Sequence, residues 1–297
     1  MNDTELHCGF VALVGRPNVG KSTLLNRLIG QKVSIVSRKP QTTRHQILGI
    51  HQRDDAQIIY VDTPGLHGNA RRAMNRYMNR AAATVLADVD VIVFVVEALQ
   101  WTPDDELVLE RLKSVRAPVI LAVNKADKVA DKARLLPFLA ELAEKRDFAE
   151  IIPISARRGI NLEDVEQAVK QRLPMSPPLF PREQLTDRSE RFRAAELVRE
   201  QLMRHLGQEL PYATTVEIEQ LEQEGNLYRI AAVIWVERAG QKAIVIGNQG
   251  QTLKRVGQDA RQQMERIFGR KVYLQLWVKV REGWSNDERA LRSLGYE

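Results

Sequence analysis

The eight residues Gly15-Arg16-Pro17-Asn18-Val19-Gly20-Lys21-Ser22 constrain this chain more than any other segment. An apolar run, Phe10–Val14, leads into them and a helical pattern, Lys21–Ile29, leads out. Glycines and a Lys-Ser pair between a strand and a helix fit the loop that wraps a polyphosphate. The glycines let the backbone turn tightly and aim its N–H groups at phosphate oxygens. The helix start adds about half a positive charge there. Lys21 is placed to reach the β- and γ-phosphates and Ser22 to hold magnesium, with Thr23 completing the contact set.

The rest of the first half supplies the sheet that such a loop needs. Gln57–Val61, Val89–Val96, Pro118–Val123 and Ile151–Ile154 read as further strands, and two of these runs are apolar on both faces, as buried parallel strands are. Helical patterns alternate with them at Ala70–Leu86, Thr102–Leu112, Ala130–Ala143 and Asn161–Leu173. Thr102-Pro103-Asp104-Asp105 reads as a cap, a proline at the first helical position and an acidic first turn. The expected fold is an α/β domain, mostly parallel, with helices on both faces. Four prolines between Pro174 and Pro181 read as a semi-rigid linker. With 297 residues the chain has room for about two domains. We place a nucleotide domain at 1–175, the linker at 176–186 and a smaller α+β domain with a C-terminal tail at 187–297. The second domain reads as a helix at Thr186–Leu206, strands at Thr214–Gln220 and Tyr228–Val236, a helix from Gly250 to Phe268 and a last strand at Val272–Val280.

Three later motifs narrow the ligand. Asp62-Thr63-Pro64-Gly65 follows a strand; Asp62 can hold a magnesium shell through water and the Gly65 N–H can sense the γ-phosphate. Asn124-Lys125-Ala126-Asp127 chooses the base. Guanine presents N1–H and the N2 amine side by side, and the two oxygens of Asp127 can accept both. Adenine lacks that pair and would leave a buried charge unpaired, at roughly 3–5 kcal/mol. Asn124 would brace the pocket, Lys125 would cover the base, and the backbone of Ser155-Ala156 would meet the base oxygen. Each motif falls at the C-terminal end of a strand, where open α/β sheets bind ligands. Between the first two motifs, Gln41-Thr42-Thr43-Arg44 offers two threonines to close over the γ-phosphate and magnesium; Thr43 is preferred, with Thr42 open. Lys21, Thr43, Asp62 and Gly65 are the candidate catalytic residues.

The net charge of +6 favours an anionic partner such as nucleic acid or a membrane surface. The charge is concentrated: Arg238–Arg281 carries ten basic residues against Asp259 and Glu265. Within it, Gly247-Asn248-Gln249-Gly250 is a GXXG loop, the device with which KH domains clamp a single strand. Lys242, Lys254 and Arg255 would face phosphates, and Ile244, Val245, Ile246 and Leu253 would floor a groove for bases. The same run also fits a solvated face or a membrane contact. Trp235 and Trp277 lie in apolar strand patterns and are expected in the core. The five histidines show no ligand spacing. The single cysteine, Cys8, cannot make a disulfide within the chain and suits a reducing compartment. The first residues lack a leader pattern and no apolar run reaches about 18 residues, so the expectation is a cytoplasmic protein.

The motifs Gly15–Ser22, Gln41–Arg44, Asp62–Gly65, Asn124–Asp127 and Ser155-Ala156 resemble those of the translation-factor-like GTPases. Val245–Gly250, Leu276–Val280, Trp284 and Asp287–Tyr296 are similar to the Era-like family within that class, over essentially the full length. The resemblance implies a GTPase domain, GTP or GDP with Mg2+, and a type II KH domain that binds the 3′ end of 16S ribosomal RNA during 30S assembly. It also implies peripheral association with the inner membrane; a monomer is expected. A signalling GTPase whose C-terminal domain binds lipid or protein is the alternative. Leu66 stands where Ras-like enzymes carry a water-orienting glutamine, so slow intrinsic turnover is expected. Asn18 matches the loop asparagine of similar GTPases that potassium stimulates.

Overall fold

The computed structural model describes residues 6–37, 39, 41–65, 73–207, 210–294 and 296, apart from the side chain of residue 211. Leu66 and the expected start of the helix at Ala70 lie outside the described residues. The chain divides into two units. The first comprises Met1–Ser34, Thr43–Ala70 and Met78–Asp187; the second comprises Ile35–Thr42, Arg71–Tyr77 and Arg188–Glu297.

The first unit is a sheet in the order β2-β3-β1-β4-β5-β6. Its strands are β1 (Leu6–Val14), β2 (Ile47–Gln52), β3 (Ala56–Asp62), β4 (Val91–Glu97), β5 (Val119–Asn124) and β6 (Glu150–Pro153). All neighbours are parallel except β2, which runs antiparallel to β3 as an edge hairpin. β2 is an addition to the expected strands, because Ile47–Gln52 is short and mixed in polarity. Alternate strand residues feed two cores. Val11, Leu13, Ile58, Tyr60, Val93 and Val95 pack with Leu24, Leu25 and Leu28 of α1 (Lys21–Ile29) and Val165 and Val169 of α5 (Leu162–Lys170). Ala12, Val14, Ile92, Phe94 and Leu121 pack on the other face with Val85 of α2 (Ala73–Ala87), Val108 and Leu112 of α3 (Pro103–Leu112) and Leu142 of α4 (Leu135–Lys145). Each fully buried aliphatic or aromatic side chain contributes about 1.5–3 kcal/mol. These two cores hold the strand ends that carry the motifs.

The proline-rich stretch is less free than a linker. A two-residue strand, β7 (Met175–Ser176), pairs antiparallel with the start of β1. The buried Gln57 Oε1 accepts from the Leu179 and Phe180 N–H groups at 2.7 and 2.9 Å, and Gln57 Nε2 donates to the Phe180 carbonyl at 2.8 Å. Prolines remove donors, and this one side chain satisfies much of what backbone polarity remains.

The second unit holds α6 (Glu190–His205) and a sheet in the order β10-β9-β8, formed by β8 (Thr214–Glu224), β9 (Leu227–Val236) and β10 (Lys271–Val280). β9 is antiparallel to β8 and parallel to β10. The parallel pairing requires a crossover, supplied by α7 (Ala239–Ile246) and α8 (Gln251–Phe268). A short α9 (Glu288–Ser293) follows. Leu197, Val198, Ile230, Ala232, Ile234, Val245, Val256 and Ala260 form the core. The tryptophan expectation needs correction. Trp277 is 43% exposed, because it lies on the outward register of β10, where Val272 and Val278 point in. Trp235 is half-buried and donates from Nε1 to Glu217 at 2.8 Å.

Candidate functional site

In the first unit the motifs converge at the C-terminal ends of β1, β3, β5 and β6. The loop Gly15–Gly20 leaves β1 and enters α1 at Lys21. No side chain caps α1, and its first turn has no acidic residue. Helix α3 is the opposite case: Thr102 and Asp105 cap each other's backbone in a complete capping box. The donors at the α1 terminus are left for a ligand. Gly20 sits at φ 108°, and a Cβ there would lie 2.4 Å from the Asn124 amide nitrogen, so only glycine closes the loop.

Lys21 is buried, and its Nζ donates to the carbonyls of Gly15 and Arg16 at 2.8 and 3.0 Å. Burial lowers its pKa from 10.5 to about 8, against the pull of Asp62. Ser22, Thr43 and Asp62 meet as one cluster. Asp62 Oδ2 accepts from Ser22 at 2.7 Å and from Thr43 at 3.2 Å, and the two hydroxyls lie 2.8 Å apart. Thr42 has a different partner: its hydroxyl donates to the Lys39 carbonyl at 2.6 Å. Ser34 joins the cluster, donating to Asp62 Oδ2 at 2.9 Å from a buried position. No sequence pattern marks Ser34; Asn26 holds it by accepting from the Val33 and Ser34 N–H groups. Asp62 is fully buried, and no donor among the described residues reaches its Oδ1. Burial pushes its pKa up; Lys21 and the three hydroxyls oppose that. Thr63 anchors this loop by donating to the Leu13 carbonyl at 2.9 Å, and Gly65 lies against Pro17.

The base-side motifs are braced to the same loop. Asn124 Nδ2 donates to the Val19 carbonyl at 2.7 Å, and its Oδ1 accepts from the Lys125 and Ala156 N–H groups at 2.7 and 3.0 Å. The Ala156 N–H, expected at a base oxygen, is thus engaged by Asn124 here. Ser155 donates to Asp127 Oδ1 at 2.7 Å, which holds that carboxyl below the usual range, aided by Arg158. Asn18 takes a left-handed backbone at φ 66° in the phosphate loop.

The second unit places the GXXG loop between α7 and α8. Gly247 has φ 73°, and a Cβ there would sit 2.2 Å from Thr252 Oγ1. Like α1, helix α8 starts with no side-chain cap and no acidic first turn. Lys242, Asn248, Gln249, Lys254 and Arg255 are exposed, while Ile246 and Leu253 are half-buried. The expected apolar floor divides: Val245 belongs to the core, and Ile244 is 57% exposed. Among the described residues no three-residue metal cluster of His, Cys, Asp and Glu occurs, and no helix is long and apolar enough to cross a membrane.

A phosphate-loop GTPase unit followed by a KH unit defines the class, and the comparisons agree. A family model described as 50S ribosome-binding GTPase matches residues 10–125, and one described as KH domain matches residues 209–285. The GTPase Era of Marinobacter nauticus is 61% identical over 98% of this chain and 95% of that protein. The GTPase Era of Azotobacter vinelandii is 59% identical over 99% and 98%. A crystal structure of a variant of Aquifex aeolicus Era bound to GDP and AlF4− superposes with a TM-score of 0.95 at 41% identity, covering 98% of this chain and 99% of that one. The same figures hold for Era in complex with MgGDPNP and nucleotides 1506–1542 of 16S ribosomal RNA. This chain belongs to the Era family of GTPases.

Proposed function

We propose that the chain binds GTP with magnesium in the first unit, hydrolyses it, and binds the 3′ end of 16S ribosomal RNA through the GXXG loop of the second. The observation that carries the nucleotide reading is the cluster of Ser22, Thr43 and Asp62 beside an uncapped helix terminus, with a buried carboxylate oxygen that no donor among the described residues satisfies. A buried carboxylate oxygen left without a donor is expensive, and a divalent cation would relieve this one. Ser22 and Thr43 would ligate magnesium directly and Asp62 through water; the ion would neutralise charge on the β- and γ-phosphates. Lys21 would exchange its two loop carbonyls for phosphate oxygens. The N–H groups of Gly15–Thr23 would cradle the phosphates, and the Gly65 N–H would meet the γ-phosphate. Asn124, Lys125, Asp127, Ser155 and Ala156 would line the guanine pocket, Asp127 accepting from N1–H and N2.

Hydrolysis proceeds without a glutamine after Gly65, since residue 66 is leucine. Leucine cannot orient water, so positive charge at the phosphates does most of the work. Asn18 is proposed to help hold a potassium ion that adds to it. Support for RNA comes from the exposed Lys242, Lys254 and Arg255 around the second uncapped helix terminus, and from the relative solved with the 16S fragment. Asn248, Gln249, Ile246 and Leu253 complete the proposed strand path. A 30S precursor is the expected partner, in the cytoplasm, with the chain as a monomer that makes peripheral contact with the inner membrane. The test is magnesium-dependent phosphate release from GTP and ATP in potassium and in sodium at equal ionic strength. Release is expected from GTP alone and faster in potassium. Equal rates in the two salts remove the potassium role, and release from ATP removes the guanine assignment.

A further inference from the structure

The base-covering lysine of the nucleotide site is held at both ends. Its backbone N–H donates to Asn124 Oδ1 at 2.7 Å, with the residue in a left-handed conformation at φ 65°. Its Nζ donates to Glu97 Oε2 at 2.6 Å. A lysine stem that is pinned at its head and at its backbone stands as a fixed apolar plank, and the freedom it would lose on covering a purine is already gone.

Glu97 is set up for this by the sheet. It is the last residue of β4 and pairs in register with Asn124 at the end of β5, so its side chain arises beside the base motif. A tight turn follows, with Leu99 at φ 60° and the Gln100 N–H returning to the Glu97 carbonyl at 3.1 Å. Glu97 Oε2, which accepts from Lys125, also accepts from Arg16 Nη2 at 3.4 Å. Arg16 belongs to the phosphate loop and presents one of the two carbonyls that hold Lys21. The same guanidinium donates from Nε to Asp105 at 3.0 Å, a fully buried carboxylate that Thr102 also holds. One carboxylate therefore ties the base loop to the phosphate loop, and it sits between two cations that would otherwise repel.

We propose that Glu97 is a positioning residue for the guanine nucleotide, fixing Lys125 over the base plane and coupling that lysine to Arg16 of the phosphate loop. This rests on the nucleotide site proposed above. Glu97→Gln keeps the shape and removes the charge, and charge-assisted hydrogen bonds are about twice as strong as neutral ones. The experiment is dissociation of a fluorescent GDP from the full chain with magnesium, for wild type, Glu97→Gln, Lys125→Ala, the double variant and Glu97→Asp. Glu97→Gln is expected to raise the dissociation rate by about tenfold, the order of one lost charged hydrogen bond. In the double variant the two effects should be far from additive, because Glu97 acts through Lys125. Glu97→Asp should recover part of the loss. A Glu97→Gln rate within about twofold of wild type, or fully additive effects, would overturn the proposal while leaving the nucleotide site standing. Failure of wild type to bind the probe would overturn both.

Discussion

Lys21 is the residue whose chemistry is most exposed to test. In the free protein burial holds its pKa at about 8. Between about 8 and the ordinary 10.5 the unfolded chain binds more protons there than the folded chain, so this group makes folding more favourable as pH rises through that window. Nucleotide binding has the opposite sign. Phosphates favour the charged lysine, so binding should take up protons near pH 8, and GDP affinity should fall as pH rises above that. Titration calorimetry in two buffers of different ionisation enthalpy reads this proton uptake directly; none at about pH 8.5 would contradict it. Asp127 decides which base the site takes. Its carboxylate is held in the charged form by Ser155. Asp127→Asn replaces one acceptor with a donor, which suits xanthine, whose O2 stands where guanine has its amine. GDP affinity should drop at least about a hundredfold, in line with roughly 3–5 kcal/mol for a broken buried charged partner, and XDP affinity should rise; competition binding measures both.

At the scale of elements, the starts of three helices are built to opposite ends. The α3 terminus is closed by its own residues, and Thr102→Ala should cost about 1 kcal/mol by loss of the cap. Chemical unfolding of the nucleotide-free chain would show it as a lower midpoint at unchanged slope. The α1 and α8 termini are open. At α8 the loop geometry depends on Gly247, where any Cβ meets Thr252. Replacing Gly247 and Gly250 with Asp adds two negative charges where a phosphate backbone would run, so RNA binding should be lost with GDP binding retained. Filter binding of RNA alongside GDP titration separates these outcomes. The loop-to-helix junctions and the α3 cap are legible in the sequence because local spacing alone defines them. β2 and α7 are not, since Ile47–Gln52 and Ala239–Ile246 take their structure from pairing and packing across the fold. The places of Ser34 and Glu97, and Val19 as the partner that Asn124 braces, rest on contacts between residues far apart in sequence. Trp277 defies its pattern because an apolar strand run does not say which face is covered.

At the scale of the molecule, each unit has its own core and its own open helix terminus suited to phosphate chemistry. The family relation joins a GTPase and a KH unit in one chain. This pairing is expected to serve a particular RNA and not any polyanion. The exposed charge on α7 and α8 would bind any polyanion weakly, with an affinity that falls steeply with salt. Base-reading by the groove adds sequence preference on top. The decisive measurement is fluorescence anisotropy of an oligonucleotide matching the 3′ end of 16S ribosomal RNA against a scrambled one of equal length, with the protein loaded with a non-hydrolysable GTP analogue and magnesium. Binding of the 3′-end sequence should be at least about tenfold tighter, about 1.4 kcal/mol. Equal affinity for the two sequences, or no binding of either at low salt, would contradict a role for this chain on that RNA.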